Sequence, residues 1–334
     1  MAGVSAAPRS RCLICKNEAN NSTFHAREMM LGSRERFLYL ECSRCGCLQL
    51  IDVPDIARYY SQDYYAFRDE VEAALPGALG RWLRRARTSY HLTGRGIVGK
   101  AFTRLRPVPD FLEWAKSAEV GRDARILDVG CGNGRLLLAM RNAGFTDLTG
   151  IDPYLPESVT HPGGVTLRKL QLPELAGPFD LIMLNHAFEH MPDPGKVLDE
   201  LARLIDPGGT ILIRTPLADS EAWQSYREDW VQLDAPRHLF VHTVRSLRSL
   251  AESAGLVIDR MKYDSQPFQF WGSEQYRRDI PLSAHMSGGR FLPAPIFTAV
   301  ELRGFEREAV RLNECGRGDQ AAVFLRPRRG AEAG

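Results

Sequence analysis

Two sets of residues carry chemistry by their type and spacing. Cys12-Leu-Ile-Cys15 and Cys42-Ser-Arg-Cys45 are two C-x-x-C pairs with 26 residues between them. Four thiolates at this spacing can surround one zinc ion tetrahedrally, and a set made only of cysteine leaves no open position for catalysis. The ion is therefore expected to be structural, with a redox dithiol as the competing use and Cys47 as an alternative ligand to Cys45. The second set is Asp128-Val-Gly130-Cys-Gly132-Asn-Gly134. Glycines at alternate positions let backbone N–H groups approach a ligand with no Cβ in the way. A dinucleotide site wants G-x-G-x-x-G, which would put its last glycine where this chain has Arg135.

The elements around that turn must position it. Ile126 to Val129 reads as a strand buried on both faces, and Arg135 onward as a helix. Leu148 to Asp152 is the second strand. It ends in a carboxylate about 24 residues after Asp128, suited to accept both ribose hydroxyls of a nucleoside. Val165–Lys169 is the third strand and Phe179–Asn185 the fourth, which delivers His186, Glu189 and His190 to the carboxyl edge of the sheet. A helix from Asp193 and an Asp-Pro-Gly-Gly turn at 206–209 lead to a fifth strand over Thr210–Pro216. Leu256–Asp264 and Asp319–Leu325 supply two more. On the loop after the fifth strand, His238 is the first choice of base, with His186 and His190 behind it. Arg237 beside it offers a bidentate fork for carboxylate or phosphate. The competing reading is that Arg237 and His238 anchor the loop.

The glycine pattern resembles the nucleotide-binding motif of class I methyltransferases that use S-adenosylmethionine (SAM). The resemblance over residues 125–216 implies a Rossmann-like α/β fold with a seven-stranded sheet. It places Asp128 near the amino acid end of SAM, Gly130, Gly132 and Gly134 beneath it, and Asp152 on the ribose. Gln171 or Leu172 falls where the adenine contact is expected, although the usual aspartate is missing. Asn185 and His186 fall near the sulfonium. The four-cysteine module, the tyrosine cluster at 59–65 and Pro236-Arg-His-Leu239 resemble a bacterial subgroup tied to sugar, polysaccharide or secondary-metabolite chemistry. That implies a small-molecule or sugar-containing acceptor, methylated on oxygen or carbon, with Arg237, Tyr64, Tyr65 and Glu189 as candidate contacts. The tyrosines equally suit packing between segments.

Composition sets the remaining bounds. The 334 residues carry a formal charge of +2, which requires no acidic partner, and nucleic acid is not expected. The first ten residues lack a signal peptide's apolar stretch, no run is long enough for a membrane span, and the cytoplasm is the default. Residues 81–106 are basic and helical in pattern; a solvated face is the simpler reading, peripheral contact with anionic lipid the other. The expected division is a zinc-binding module over 1–55, a basic linker over 56–110, and a cofactor-binding domain over 111–330 with an insertion at about 266–315. Two rival functions stay open: a nicotinamide oxidoreductase, and a non-catalytic zinc-dependent binding module on a SAM-like fold.

Overall fold

The computed structural model describes residues 10–59, 77–105, 107–287 and 290–328. Three short strands open it: β1 (Ser22–Arg27), β2 (Arg36–Glu41) and β3 (Leu48–Leu50). Helices α1 (Ala78–Thr93), α2 (Ile97–Leu105) and α3 (Asp110–Ser117) follow. The central unit then runs β4 (Arg125–Val129), α4 (Arg135–Ala143), β5 (Asp147–Ile151), β6 (Val159–His161), β7 (Val165–Arg168) and β8 (Phe179–Asn185). It continues with α5 (Pro194–Leu204), β9 (Ile205–Pro216), α6 (Glu221–Tyr226), β10 (Phe240–Val241), α7 (Val244–Ser253) and β11 (Leu256–Tyr263). Helix α8 (Phe268–Arg277), a small hairpin of β12 (Met286–Ser287) with β13 (Arg290–Phe291), α9 (Ala299–Glu314) and β14 (Gln320–Pro327) complete the chain.

The main sheet has the order β11-β14-β9-β8-β4-β5-β7-β6. Strands β7, β5, β4, β8 and β9 are parallel, while β14 runs antiparallel between β9 and β11. Without β6, this is the expected seven-stranded class I methyltransferase sheet. The eighth strand is an addition: β6 turns back at Gly163-Gly164 and pairs with β7 at the edge. Three residues, two of them exposed, were too few to show a pattern in the sequence.

Why β4 reads as a continuous apolar run is plain from its surroundings. Ile126 and Leu127, both fully buried, belong to different cores on opposite faces of the sheet. Ile126 packs with Phe111 and Trp114 of α3 and Leu137 and Met140 of α4. Leu127 packs with Leu198 and Leu201 of α5 and Leu247 and Leu250 of α7. The chain leaves β4 toward β5 and β7, then returns to β8 on its other side. A crevice therefore opens between the carboxyl ends of β4 and β8.

The amino-terminal strands pair with a strand from beyond residue 55. They form a second sheet, β1-β2-β3-β10, whose last strand comes from the middle of the chain. Gln49 pairs with Phe240 and Leu48 with Val241. A third core joins Tyr39, Leu40 and Leu48 to Trp223, Trp230, Phe270, Tyr276 and Leu312. Residues from Cys12 to Tyr59 thus share one core with Phe270, Tyr276, Leu282, Ala309 and Leu312. A segment of this size buries too little surface alone, and here the partner is the rest of the chain. Tyr59 belongs to the same core, and α1 packs on α3 and α4. On α1 and α2 the arginines are mostly exposed, but Arg87 is buried and lies over the Phe102 ring. Among the described residues no helix is long and apolar enough to cross a membrane.

Candidate functional site

The glycine turn lies at the carboxyl end of β4. Gly130 and Gly134 both sit at φ 76°, a left-handed conformation that side chains resist. A Cβ on Gly130 would come within 2.7 Å of the Ala187 Cβ, and one on Gly134 within 2.6 Å of Leu167. The Gly130 N–H donates to the Ile151 carbonyl at 2.8 Å, tying the turn to β5. Backbone strain and overlap act together at Gly130, so Gly130→Ala is expected to destabilise the fold by about 1–3 kcal/mol. It should also weaken nucleoside binding. Parallel thermal melts and binding titrations check both effects, and an unchanged melting temperature would speak against the packing described.

Two carboxylates flank the turn. Asp152 holds it from β5: one oxygen accepts from Gly132 N–H at 3.0 Å and the other from Tyr154 N–H at 2.9 Å. Asp128 is 3 % exposed, and burial together with the nearby charge of Asp152 pushes its carboxyl up to about 7. Desolvation and another anion act on it, and among the described residues no cation offsets them. A ligand bringing an ammonium or sulfonium to this pocket would relieve it. The residues present therefore fit SAM: a bare backbone cradle, a buried anion awaiting positive charge, and a second carboxylate one strand away. Gln171 is exposed at the start of a 3-10 turn, its N–H donating to Glu174 at 2.7 Å, with Leu172 nearly buried beside it.

Across the crevice, β8 ends in Asn185 and His186. Arg214, at the end of β9, donates to Asn185 Oδ1 at 3.3 Å and to His186 Nε2 at 2.6 Å. A guanidinium has only hydrogens to give, so His186 must carry its proton on Nδ1, 3.2 Å from Glu189 Oε1. His186 is thus held at both nitrogens, which disfavours it as a base. Asp264, after β11, accepts from Arg214 at 2.6 Å, and Thr215 donates to Glu189 Oε2 at 3.0 Å. Arg214, Thr215 and Asp264 were missed from sequence, although two of them end strands on the carboxyl edge, a position that could have marked them. Glu189 is fully buried; burial pushes its carboxyl up, but the hydrogen bond from His186 and the neighbouring histidines hold it well below the usual range.

The Pro-Arg-His loop does not hang over the crevice as expected. Arg237 is fully buried, and its fork is spent inside the protein on Asp234, the Tyr59 carbonyl and Glu28. A carboxylate or phosphate of an acceptor would have to displace Asp234 or Glu28 to reach the Arg237 fork. His238 is 5 % exposed, and the hydroxyl of Tyr39 donates to its carbonyl at 2.8 Å. Its Nδ1 lies 2.8 Å from the Gln232 carbonyl and its Nε2 3.9 Å from both Glu189 and Asp234. Burial, then the charge of His190, lowers its pKa to about 4, so the ring is neutral at pH 7. His190 is half-buried, its ring edge-on to His238 at 4.8 Å between centroids. Glu189, His190 and His238 thus come together. Tyr64 and Tyr65 lie outside the described residues.

The four cysteines also converge. Cys12 and Cys45 sulfurs are 3.7 Å apart, Cys15 and Cys42 sulfurs 3.4 Å, and all four lie within 4.8 Å of one another. A tetrahedral zinc with bonds of ~2.3 Å needs sulfurs spaced by roughly this much, so the cluster is able to bind metal. Cys47 stays outside it, fully buried, with its sulfur 3.9 Å from His242 Nδ1.

Residues 100–260 match a sequence family described as "Methyltransferase domain". The chain is 35% identical over 102 residues to a ubiquinone biosynthesis O-methyltransferase of Caulobacter sp. (strain K31), covering 27% of this chain and 40% of that protein. It is 37% identical over 116 residues to the protein of the same description from Bordetella avium (strain 197N), covering 31% and 48%. The chain spans about half the length of the curated relatives it matches. Among solved structures, the cyclopropane synthase MmaA2 from Mycobacterium tuberculosis is 14% identical, with a TM-score of 0.42 over 82% of this chain and 98% of that one.

Proposed function

We propose that this chain, which carries a class I methyltransferase fold, moves a methyl group from SAM to an oxygen or carbon of a small, sugar-containing acceptor. The observation that carries the reading is Asp128: a buried anion with no cation of its own, beneath a turn whose glycines are forced by shape. In this reading Asp128 and the glycine turn hold the amino acid end, Asp152 the ribose, Leu172 the adenine side, and Asn185 the region of the sulfonium. SAM supplies an electrophilic methyl. The chain supplies orientation, water exclusion and a place for the acceptor's proton. Of the three histidines, His186 is occupied by Arg214, which leaves the proton to the cluster of His190 and His238 over Glu189. Cys12, Cys15, Cys42 and Cys45 are proposed to hold a structural zinc.

The test is S-adenosylhomocysteine release from SAM across a panel of sugar and hydroxylated acceptors. With an accepted substrate, His238→Ala should lower kcat by about 100-fold or more while leaving SAM affinity unchanged. A protein that binds NAD but not SAM would return the oxidoreductase reading. One that binds SAM yet never releases product across the panel would favour the non-catalytic module.

A further inference from the structure

We infer that Glu189, His190 and His238 form a second metal site, one for a divalent cation that prefers imidazole and carboxylate ligands. One ligand atom from each side chain lies within 4.8 Å of the other two. Two imidazoles and one carboxylate make a set known to hold Fe(II)-like ions on one face, leaving the other positions open.

The orientation of the rings favours this use. His190 Nδ1 is 2.9 Å from the Arg237 carbonyl, and His238 Nδ1 is 2.8 Å from the Gln232 carbonyl. A carbonyl only accepts, so both Nδ1 atoms carry hydrogen, and the nitrogen that either ring can offer a metal is Nε2. Metal-binding histidines are held in this way, with the far nitrogen donating to a backbone carbonyl or carboxylate. Glu189 is anchored from its other side: His186 donates to Oε1 and Thr215 to Oε2, which leaves each oxygen a further lone pair. The anchors come from three separate elements, the turn after β8, the end of β9 and the loop before β10.

Charge points the same way. Glu28, Glu189 and Asp234 crowd around Arg237 and His238: the guanidinium faces Glu28 and Asp234, and Glu189 faces the His238 ring. Glu28 is fully buried and draws three backbone N–H groups at 2.8–2.9 Å, from Leu31, Gly32 and Ser33. Buried anions in excess are costly unless a cation joins them, and a divalent ion bound to Glu189 would supply that charge. The tetrathiolate site is a different chemistry, and softer ions sort to it.

The inference rests on the methyltransferase reading only for its use. With a cation bound, His190 and His238 would be ligands rather than proton acceptors: the cation would hold an acceptor hydroxyl and make it more acidic, and the hydroxyl proton would leave to water before or as the oxygen takes the methyl. The site itself can be tested without turnover. The full chain, purified with zinc in its cysteine site, is titrated with Co2+ and read by visible absorption and metal analysis. One further equivalent of cobalt should bind, with weak bands and no thiolate-to-cobalt charge transfer. His190→Gln, at a half-buried position, should weaken that binding by at least about tenfold and leave the zinc in place. Glu189→Gln should do the same, with circular dichroism confirming that the variant folds. A protein that takes no cobalt beyond its cysteine site, or whose His190→Gln and folded Glu189→Gln forms bind cobalt as well as wild type, overturns the inference. SAM titrated into the same samples keeps the two readings apart: SAM binding without cobalt sinks the metal site alone, and cobalt binding without SAM sinks the methyl transfer alone.

Discussion

Asp128→Asn should lose SAM binding and, at the same time, make the ligand-free protein more stable. Both follow from one burial. The Asp128 carboxyl is pushed from 3.8 to about 7, so the folded state resists ionising it. Its contribution to stability is complete below pH ~4, where the side chain is protonated folded or unfolded, and is lost as pH rises toward 7. Above pH 7 the ionised group costs on the order of 4 kcal/mol, an upper figure because a buried site relaxes. Asparagine keeps the shape and removes the charge. Calorimetric melts at pH 8 should therefore rise in the variant, while at pH 4 the two proteins should melt together. SAM needs the anion, so its affinity for the wild type should fall about tenfold per pH unit below 7, with a proton released on binding. Isothermal titration in buffers of different ionisation enthalpy reads that proton. A variant that binds SAM within about twofold of wild type would remove Asp128 from the site.

Part of this was legible from sequence and part was not, for physical reasons. The run Ile126–Val129 signalled a strand because both sheet faces are covered, and a strand covered twice has no polar side to show. The spacing of Gly130, Gly132 and Gly134 marked the turn because all three take a positive φ, and at Gly130 and Gly134 a side chain would also collide with its neighbours. The structure brings Asp128, Asp152, Asn185 and His186 to one crevice as the strand pattern implies. The burial of Arg237 was hidden for the opposite reason. Its partner Glu28 lies 209 residues away, and no local pattern announces a pairing of that range. The same distance hid the burial of His238, which follows from Tyr39 and the strands around it. A loop rich in Pro, Arg and His looks exposed until the segment that covers it is known.

That covering segment gives the last expectation its reach. Loss of the proposed zinc from the cysteine cluster, by chelation or by Cys15→Ser with Cys42→Ser, should damage the proposed acceptor side of the protein and spare the SAM side. The cluster lies in the same core as Trp230, Phe270 and Leu312, so the loss of tetrahedral restraint spreads beyond residues 12–45. Three links carry it to the 234–243 loop. Thr243 donates to the Cys45 carbonyl at 2.5 Å, Tyr39 to the His238 carbonyl at 2.8 Å, and Arg237 to Glu28 at 3.2 Å. The cofactor turn belongs instead to the cores on the two faces of the main sheet. Metal binding by four thiolates is worth several kcal/mol of folding free energy or more, so the metal-free form should melt in two steps where the loaded form melts in one. Hydrogen exchange should lose protection in β1–β3 and in residues 234–243, while β4 and β5 keep theirs and SAM still binds. Cys47→Ala is the matched control: its sulfur lies outside the cluster, and it should keep one metal and cost only the small cavity it leaves, about 1–2 kcal/mol. If chelation leaves exchange in the 234–243 loop unchanged, the cysteine module does not hold that loop, and the shared core has been given too large a part.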